Sequence, residues 1–186
     1  VRDSYLNINE QSTRGVDFSI RYEHEFDFGD LAIDVNATKT LEDAVNLFDP
    51  NLASGFDTNR FNGTIGDPEW VGDAQFALRR GDFTYSWFVD YVSGTDNSPF
   101  ANEFFTYFGR DARRLITTDD YLAHDVSIRW LGDDYSITGG VSNIFNATPP
   151  IVSDGSGVNR LGNVALQGSQ YDLRGRTFFL RLGAKF

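Results

Sequence analysis

The stretch Tyr171–Phe186 reads YDLRGRTFFLRLGAKF, and its second half alternates between two kinds of side chain. From Phe178 onward every second residue is apolar, while the residues between them are mixed or polar. A period of two over this length predicts a β-strand with two chemically different faces. The run is close to the roughly 9–11 residues with which a tilted strand crosses a bilayer. Because it continues to an aromatic last residue, Phe186, we interpret it as a membrane-spanning strand.

The composition favours one β-domain over residues 1–186. Aromatic residues make up 15% of the 186 residues, and 18 glycines accompany only 5 prolines, which suits strands joined by turns. The formal net charge of -11 argues against a nucleic-acid partner. No cysteine is present, so the sequence offers no disulfide and no thiolate site. The chain begins at Val1 without any methionine, and we therefore expect a processed or partial product.

The same alternation recurs along the chain and predicts about eight strands. The segment Val1–Asn9 has the weakest pattern, and Gln11–Gly15 reads as a short connection after it. In the segments that follow, apolar residues alternate with polar or charged ones. These segments are Val16–Phe26, Leu31–Thr38, Trp70–Arg79, Phe83–Tyr91, Leu122–Trp130, Tyr135–Ser142 and the final strand.

The connections between these strands are alternately short and long. Short turns are predicted at Asp27–Asp30, Arg80–Asp82 and Gly132–Asp134. Long polar loops are predicted at about Ala44–Pro68, Ser93–Thr118 and Asn146–Gln170. Antiparallel strands with tight turns at one rim and long loops at the other are typical of an outer-membrane barrel, with the loops outside the cell.

The charged residues of the strands share one predicted face. A charge on the lipid-facing side of such a barrel would cost about 2–4 kcal/mol for Arg or Lys at the midplane. Trp87 and Trp130 are expected to face lipid, whereas Tyr121 has the wrong parity for that face. The charged residues on the opposite face are Arg21, Asp34, Asp73, Arg79, Asp90, Asp125, Arg129 and Arg181.

Three stretches carry a resemblance to a known family. They are TRGVDF at Thr13–Phe18, VSNIFNATPP at Val141–Pro150 and YDLRGR at Tyr171–Arg176. In this order, and with a closing strand that ends in Phe, they resemble the C-terminal part of TonB-dependent outer-membrane receptors. The resemblance implies an all-β, antiparallel transmembrane β-barrel of about 22 strands. The chain would supply about eight of them, without the plug domain and the segment that contacts TonB.

The resemblance also implies a function, partners and a location. The receptor would bind a scarce nutrient, such as a ferric siderophore, a vitamin or an oligosaccharide, and import it by energised transport across the bacterial outer membrane. Its partners would be outer-membrane lipid, the remaining plug and barrel strands, and TonB through the missing N-terminal region. The barrel assembly machinery would recognise the final strand, with Phe178, Leu180, Leu182 and Phe186 as its signal.

The sequence offers no catalytic set, and we expect no enzyme, no cofactor and no metal site. Its two histidines, His24 and His124, both lie on the predicted apolar face. Ligand contacts are instead predicted in the loops, where aromatic residues beside arginine suit an anionic or ring-bearing ligand. Packing of these aromatics over the barrel mouth is an alternative. The candidate ligand residues are Arg60, Tyr107, Arg110, Arg113, Arg114, Asn159 and Arg160.

Two other architectures remain open from the sequence. Eight strands could close into a self-contained outer-membrane barrel, porin-like or structural, with a filled interior. A soluble ligand-binding β-barrel would also alternate, but with its apolar residues pointing inward. Alternation alone does not distinguish inside from outside.

Overall fold

A computed structural model describes residues 10–48, 56–97, 104–113, 115–152, 163–164 and 171–185. Within them every named strand pair is antiparallel, which confirms the predicted all-β, antiparallel class. No helix in these ranges is long and apolar enough to cross a membrane. The strands are β1 (Glu10–Phe26), β2 (Gly29–Phe48), β3 (Phe56–Arg60), β4 (Trp70–Arg80), β5 (Phe83–Val92), β6 (Phe104–Tyr107), β7 (Arg110–Arg113), β8 (Tyr121–Leu131), β9 (Tyr135–Ser142), β10 (Ile151–Val152), β11 (Asn163–Val164) and β12 (Thr177–Ala184).

One large sheet contains the predicted strands from Val16 onward. Its hydrogen-bonded order is β1-β2-β4-β5-β8-β9-β12, with β3 paired to the far end of β2. Strands β6 and β7 form a separate hairpin, and β10 and β11 form another pair. The predicted strand at Val1–Asn9 lies outside the described residues. Each strand of the large sheet pairs with the next long strand along the chain, as the alternating connections predict.

The register of the sheet separates apolar from polar side chains. Directly paired residues share a face, so each row of partners across the sheet reports the chemistry of one face. One row is entirely apolar, and its neighbourhood defines the apolar face: Tyr22, Ile33, Phe76, Trp87, Val126, Val141 and Phe178. A row of opposite parity defines the polar face: Glu25, Asp30, Arg79, Thr84, Arg129, Thr138 and Arg181.

The three short turns lie at one rim of the sheet. Phe26 pairs with Gly29 and Arg80 pairs with Phe83, so two of the turns have only two central residues. In the second of these, Gly81 has a φ of 56°, the left-handed conformation that hairpin turns need and glycine adopts readily. The predicted turns are therefore confirmed, and the long connections lie at the other rim.

The first two strands are longer than the sequence predicts. The predicted connection Gln11–Gly15 is wrong, because these residues belong to β1, which pairs with β2 as far as Asn46. The register shifts between Arg14 and Gly15, a β-bulge in the ladder. The predicted loop from Ala44 likewise contains the end of β2 and all of β3. Polar residues occupy both faces of these extensions, so no apolar alternation marks them in the sequence.

Apolar burial is small and lies at the long-loop end. Val92, Tyr121, Ala123 and Tyr171 form the buried cluster. The parity of Tyr121 places it on the polar face, where its ring meets that of Tyr171 edge to face with centroids 4.9 Å apart. This packing explains why Tyr121 does not follow the apolar pattern of its strand. Within the described residues the apolar face carries no such cluster of buried side chains: Ile20 is 63% exposed and Leu182 is 70% exposed.

Candidate functional site

The long-loop end of the sheet is held together by backbone hydrogen bonds between two loops. The amide of Ile65 donates to the carbonyl of Asp96 at 3.1 Å, and the amide of Asp96 donates to the carbonyl of Gly63 at 3.0 Å. Further along, the amide of Thr118 donates to the carbonyl of Thr95 at 2.8 Å. The two ends of the loop between β5 and β8 are thus joined to each other and to the loop before β4.

A cavity of about 440 Å³ lies among these joined loops. Its volume falls within the range of small-molecule sites, roughly 300–1,000 Å³. Several hydroxyl groups in its lining already have partners: Ser93 accepts the Trp70 amide at 3.1 Å, and Thr95 and Thr118 bond each other at 3.0 Å. The side chains of Glu69 and Asn62 add polar lining. The cavity suits a polar ligand, but most of its hydroxyls also hold the loops in place.

Two asparagines fix the chain after β9. Asn143 is 1% exposed, and its backbone N–H donates to the carboxylate of Asp125 at 2.7 Å. Its side-chain NH₂ donates to the carbonyl of Ala147 at 2.8 Å, and its side-chain oxygen accepts from the backbone N–H of Ala147 at 2.7 Å. Asn146 accepts a hydrogen bond from the Arg176 amide at 3.0 Å. Both asparagines have positive φ, 51° and 56°, which asparagine tolerates better than most residues.

This asparagine turn brings together two of the three stretches that resemble the receptor family. It ties VSNIFNATPP to YDLRGR through the bond between Asn146 and Arg176. Tyr171, which precedes Arg176, is thereby held in the buried cluster against Tyr121. Burial, and secondarily the neighbouring Tyr121, raises the pKa of the Tyr171 phenol. The sequence predicts only that a long loop, about Asn146–Gln170, separates the two segments, and it does not predict their contact; the two Asn residues after the strand were the available signal.

The predicted ligand residues are only partly brought together. Tyr107 pairs directly with Arg110 in the β6–β7 hairpin, so their side chains share a face. Arg113 has the opposite parity on the same strand and shares its face with Asp111. Arg60 lies elsewhere, at the end of β3, with a guanidinium nitrogen 3.7 Å from Glu42. The candidates Arg114, Asn159 and Arg160 lie outside the described residues.

The predicted assembly residues lie on one face of the last strand. Phe178, Leu180 and Leu182 alternate along β12 and are all strongly exposed. Phe186 lies outside the described residues. Within the described part of the chain, β12 pairs only with β9, so its other edge is unpaired there.

The two histidines have packing partners on the apolar face. The indole N–H of Trp87 donates to Nδ1 of His124 at 3.1 Å, so two polar groups on this face satisfy each other. The His124 ring also packs edge to face against Phe145, with ring centroids 5.1 Å apart, and the His24 ring packs in the same way against Phe26, with centroids 4.3 Å apart. In the described part of the chain, no three His, Asp or Glu side chains gather closely enough to hold a metal ion.

Comparison with known proteins identifies no relative. No protein-family model, curated protein or solved structure matches the chain. The resemblance to TonB-dependent receptors therefore depends on the three quoted stretches, and membership of that family stays a prediction.

Proposed function

We propose that this chain forms part of the wall of an outer-membrane β-barrel, as the C-terminal portion of a TonB-dependent receptor that imports a scarce nutrient. The supporting observation is the apolar face, which continues across all seven strands of the large sheet and whose described side chains are exposed or half-exposed. An apolar surface of this extent on a soluble monomer would be unusual, since continuous exposed patches mark protein or membrane contacts.

The height of the apolar face supports a bilayer as its partner. On β1 the apolar residues run from Val16 to Phe26, which is about 33 Å along a strand at roughly 3.3 Å per residue. At a strand tilt of about 40° this becomes a band of roughly 25 Å, the height expected of the lipid-facing belt. Beyond Val16 the same strand face carries Arg14, whose guanidinium lies 3.3 Å from Glu42. Charge thus begins where the band ends.

The polar face supports contact with water on the other side of the wall. Arg21 and Asp34 form an ion pair at 2.7 Å, and the Asn36 side chain donates to both Asp34 and Asp73. Such groups are poorly suited to acyl chains and well suited to an aqueous lumen. In a soluble barrel the faces would be reversed, with the apolar residues meeting in a dry centre. In the described residues the buried cluster lies on the polar face, whereas the apolar side chains are exposed or half-exposed, and this favours lipid over a dry centre.

The edges of the sheet support a wall that continues beyond the described residues. Strands β1 and β12 are exposed along their whole length. Because seven antiparallel strands lie in the path, its two edge strands run in the same direction. A fully antiparallel closure therefore requires an odd number of further strands. One strand gives the self-contained eight-stranded alternative, and about fifteen give the receptor barrel of about 22 strands.

Membrane fractionation tests the proposal. We expect the intact protein to be recovered in the outer-membrane fraction and to migrate faster on a gel when unheated than when boiled.

A barrel diameter measured in detergent separates the two membrane alternatives, because an eight-stranded barrel is much narrower than one of about 22 strands. Uptake that stops when the inner-membrane proton gradient is dissipated would support energised transport. A stable monomer in detergent-free buffer would contradict the proposal.

A further inference from the structure

The hairpin of β6 and β7 has an unusual residue at its turn. Tyr107 pairs with Arg110, which leaves Phe108 and Gly109 as the two central residues. Their φ angles are 48° and 72°, and positive values at both positions define the requirement of a type I′ turn. Asn-Gly is the preferred pair there, because a bulky side chain at positive φ crowds its own backbone. The other two-residue turn with a left-handed first residue uses Gly81.

Burial in the fold does not explain the choice of Phe108. Its side chain is 89% exposed and that of Tyr107 is 62% exposed. The two rings touch each other edge to face, with centroids 4.5 Å apart. Within the described residues the ring contact of Phe108 is with Tyr107 and not with the buried cluster. The turn thus accepts an unfavourable backbone conformation to present a ring to its surroundings, a pattern associated with functional sites.

The charge of the hairpin differs from that of the whole chain. Between residues 104 and 113 it carries Arg110, Asp111 and Arg113, whereas the chain has a net charge of -11. Arg110 is the cross-strand neighbour of Tyr107, and directly opposed Cβ atoms are about 4.5–5.5 Å apart. Arg113 and Asp111 share the opposite face. Within residues 104–113, one guanidinium and two exposed rings therefore lie together at the tip, and the single carboxylate, Asp111, lies on the opposite face.

We infer that Tyr107, Phe108 and Arg110 form a binding site for an organic anion that carries an aromatic ring. The ring of the ligand packs on Phe108 and Tyr107, and its carboxylate or phosphate accepts hydrogen bonds from Arg110. The inference rests on the proposed function, in which this loop faces the medium that supplies the nutrient. Hydrogen bonds between Thr95 and Thr118 join the two ends of the loop that carries the hairpin.

Phenylphosphonate is a suitable probe, since it joins a ring to an anion and dissolves well in water. Binding to the intact protein in detergent micelles is measured by ligand-observed NMR, with methylphosphonate and benzyl alcohol as probes that lack the ring or the charge. We expect phenylphosphonate to bind more tightly than either. Phe108→Asn and Arg110→Gln should each weaken it about three- to tenfold, the loss of one ring or charge contact. Arg80→Gln, at the short-turn rim of the sheet, should leave it unchanged.

Phe108→Asn also separates binding from folding. Asn suits the turn better than Phe, so the variant should slow proteolytic cleavage within residues 104–113 while it weakens phenylphosphonate binding. Faster cleavage would show that Phe108 supports the hairpin itself and would overturn the inference. Equal binding of phenylphosphonate and methylphosphonate would also overturn it.

Failure of this inference is distinguishable from failure of the proposed function. A protein that inserts into the outer membrane but ignores phenylphosphonate overturns only the tip site. A protein that binds the probe but stays out of the membrane overturns only the proposed function.

Discussion

Replacing Ile20 by arginine perturbs the apolar face at the middle of its band. Ile20 lies on β1 halfway between Val16 and Phe26 and is 63% exposed. In a soluble protein, arginine at so exposed a position would change stability little, within about 0.5 kcal/mol. Facing lipid, the same charge costs about 2–4 kcal/mol at the midplane. That corresponds to a roughly 30- to 700-fold loss in the folding equilibrium constant.

Ser19→Arg is the matched control for Ile20→Arg. Ser19 is the preceding residue and faces the other way, toward Asn36, to which its hydroxyl donates at 3.0 Å. An arginine there joins the polar face, which already carries Asp34 and Asp17, and we expect a change below about 1 kcal/mol. Urea titration of the intact protein folded into lipid vesicles measures both variants. Equal effects of the two substitutions, or a larger effect of Ser19→Arg, would refute the assignment of the faces.

Three further substitutions test the packing of the sheet and of the asparagine turn. Gly140→Ala should destabilise the fold by about 1–3 kcal/mol, because the added Cβ would lie 2.4 Å from the Phe179 ring and 2.6 Å from the Val126 carbonyl oxygen. Gly139→Ala is the control and should cost little, because its Cβ would meet only Leu180, at 3.9 Å. Equal urea midpoints for the two variants would contradict this account. Asn143→Ala should cost about 2–4 kcal/mol by loss of two buried side-chain hydrogen bonds at positive φ, and more than Asn146→Ala; a thermal unfolding midpoint shifted more by Asn146→Ala would argue against that ranking. Tyr171→Phe should leave stability unchanged or raise it by about 1 kcal/mol, because the buried Tyr171 hydroxyl has no hydrogen-bond partner among the described residues. Since the pKa of Tyr171 is raised in the fold, its contribution should be intact below the phenol's ordinary pKa of 10.0 and lost as the pH rises above it; unfolding curves of Tyr171→Phe that fall equally with pH would contradict this.

The sequence predicts the central part of the sheet well, because one physical constraint governs it. Between Val16 and Tyr91, and again from Leu122, each strand of the sheet presents different chemistry on its two faces. The alternation of apolar and polar side chains therefore identifies these strands in the sequence. The register agrees with that pattern, from Arg21 opposite Asp34 to Arg129 opposite Thr138. The short turns are marked by glycine and aspartate.

The extensions beyond the apolar band carry no such record. At Gln11–Gly15 and Asp43–Phe48 both faces of the strand are polar or mixed, so the strand leaves no period in the sequence. What holds these segments is pairing between distant residues, such as the Thr13 hydroxyl donating to Asp43 at 3.2 Å. Local reading therefore ends the strands too early.

Contacts between distant loops were also beyond local reading. The residues around Tyr121 do not predict that Tyr171 packs against it. From the sequence one sees only that Tyr121 does not lie on the apolar face of its strand. The turn of Phe108 is similar: the flanking Tyr107 and Arg110 were candidates for ligand contact, but only its positive φ of 48° marks Phe108 itself. Arg60 was grouped with that site from its residue type, whereas its position beside Glu42 was not predictable.

Depth-resolved quenching of tryptophan fluorescence tests the orientation of the wall most directly. All three tryptophans, Trp70, Trp87 and Trp130, lie on the apolar face, at one end, the middle and the other end of the band. In single-tryptophan variants inserted into vesicles, bromine placed deep in the acyl chains should quench Trp87 most strongly, and shallow bromine should quench Trp70 and Trp130. Iodide in the water that quenches Trp87, while lipid bromine quenches none of the three, would contradict the account.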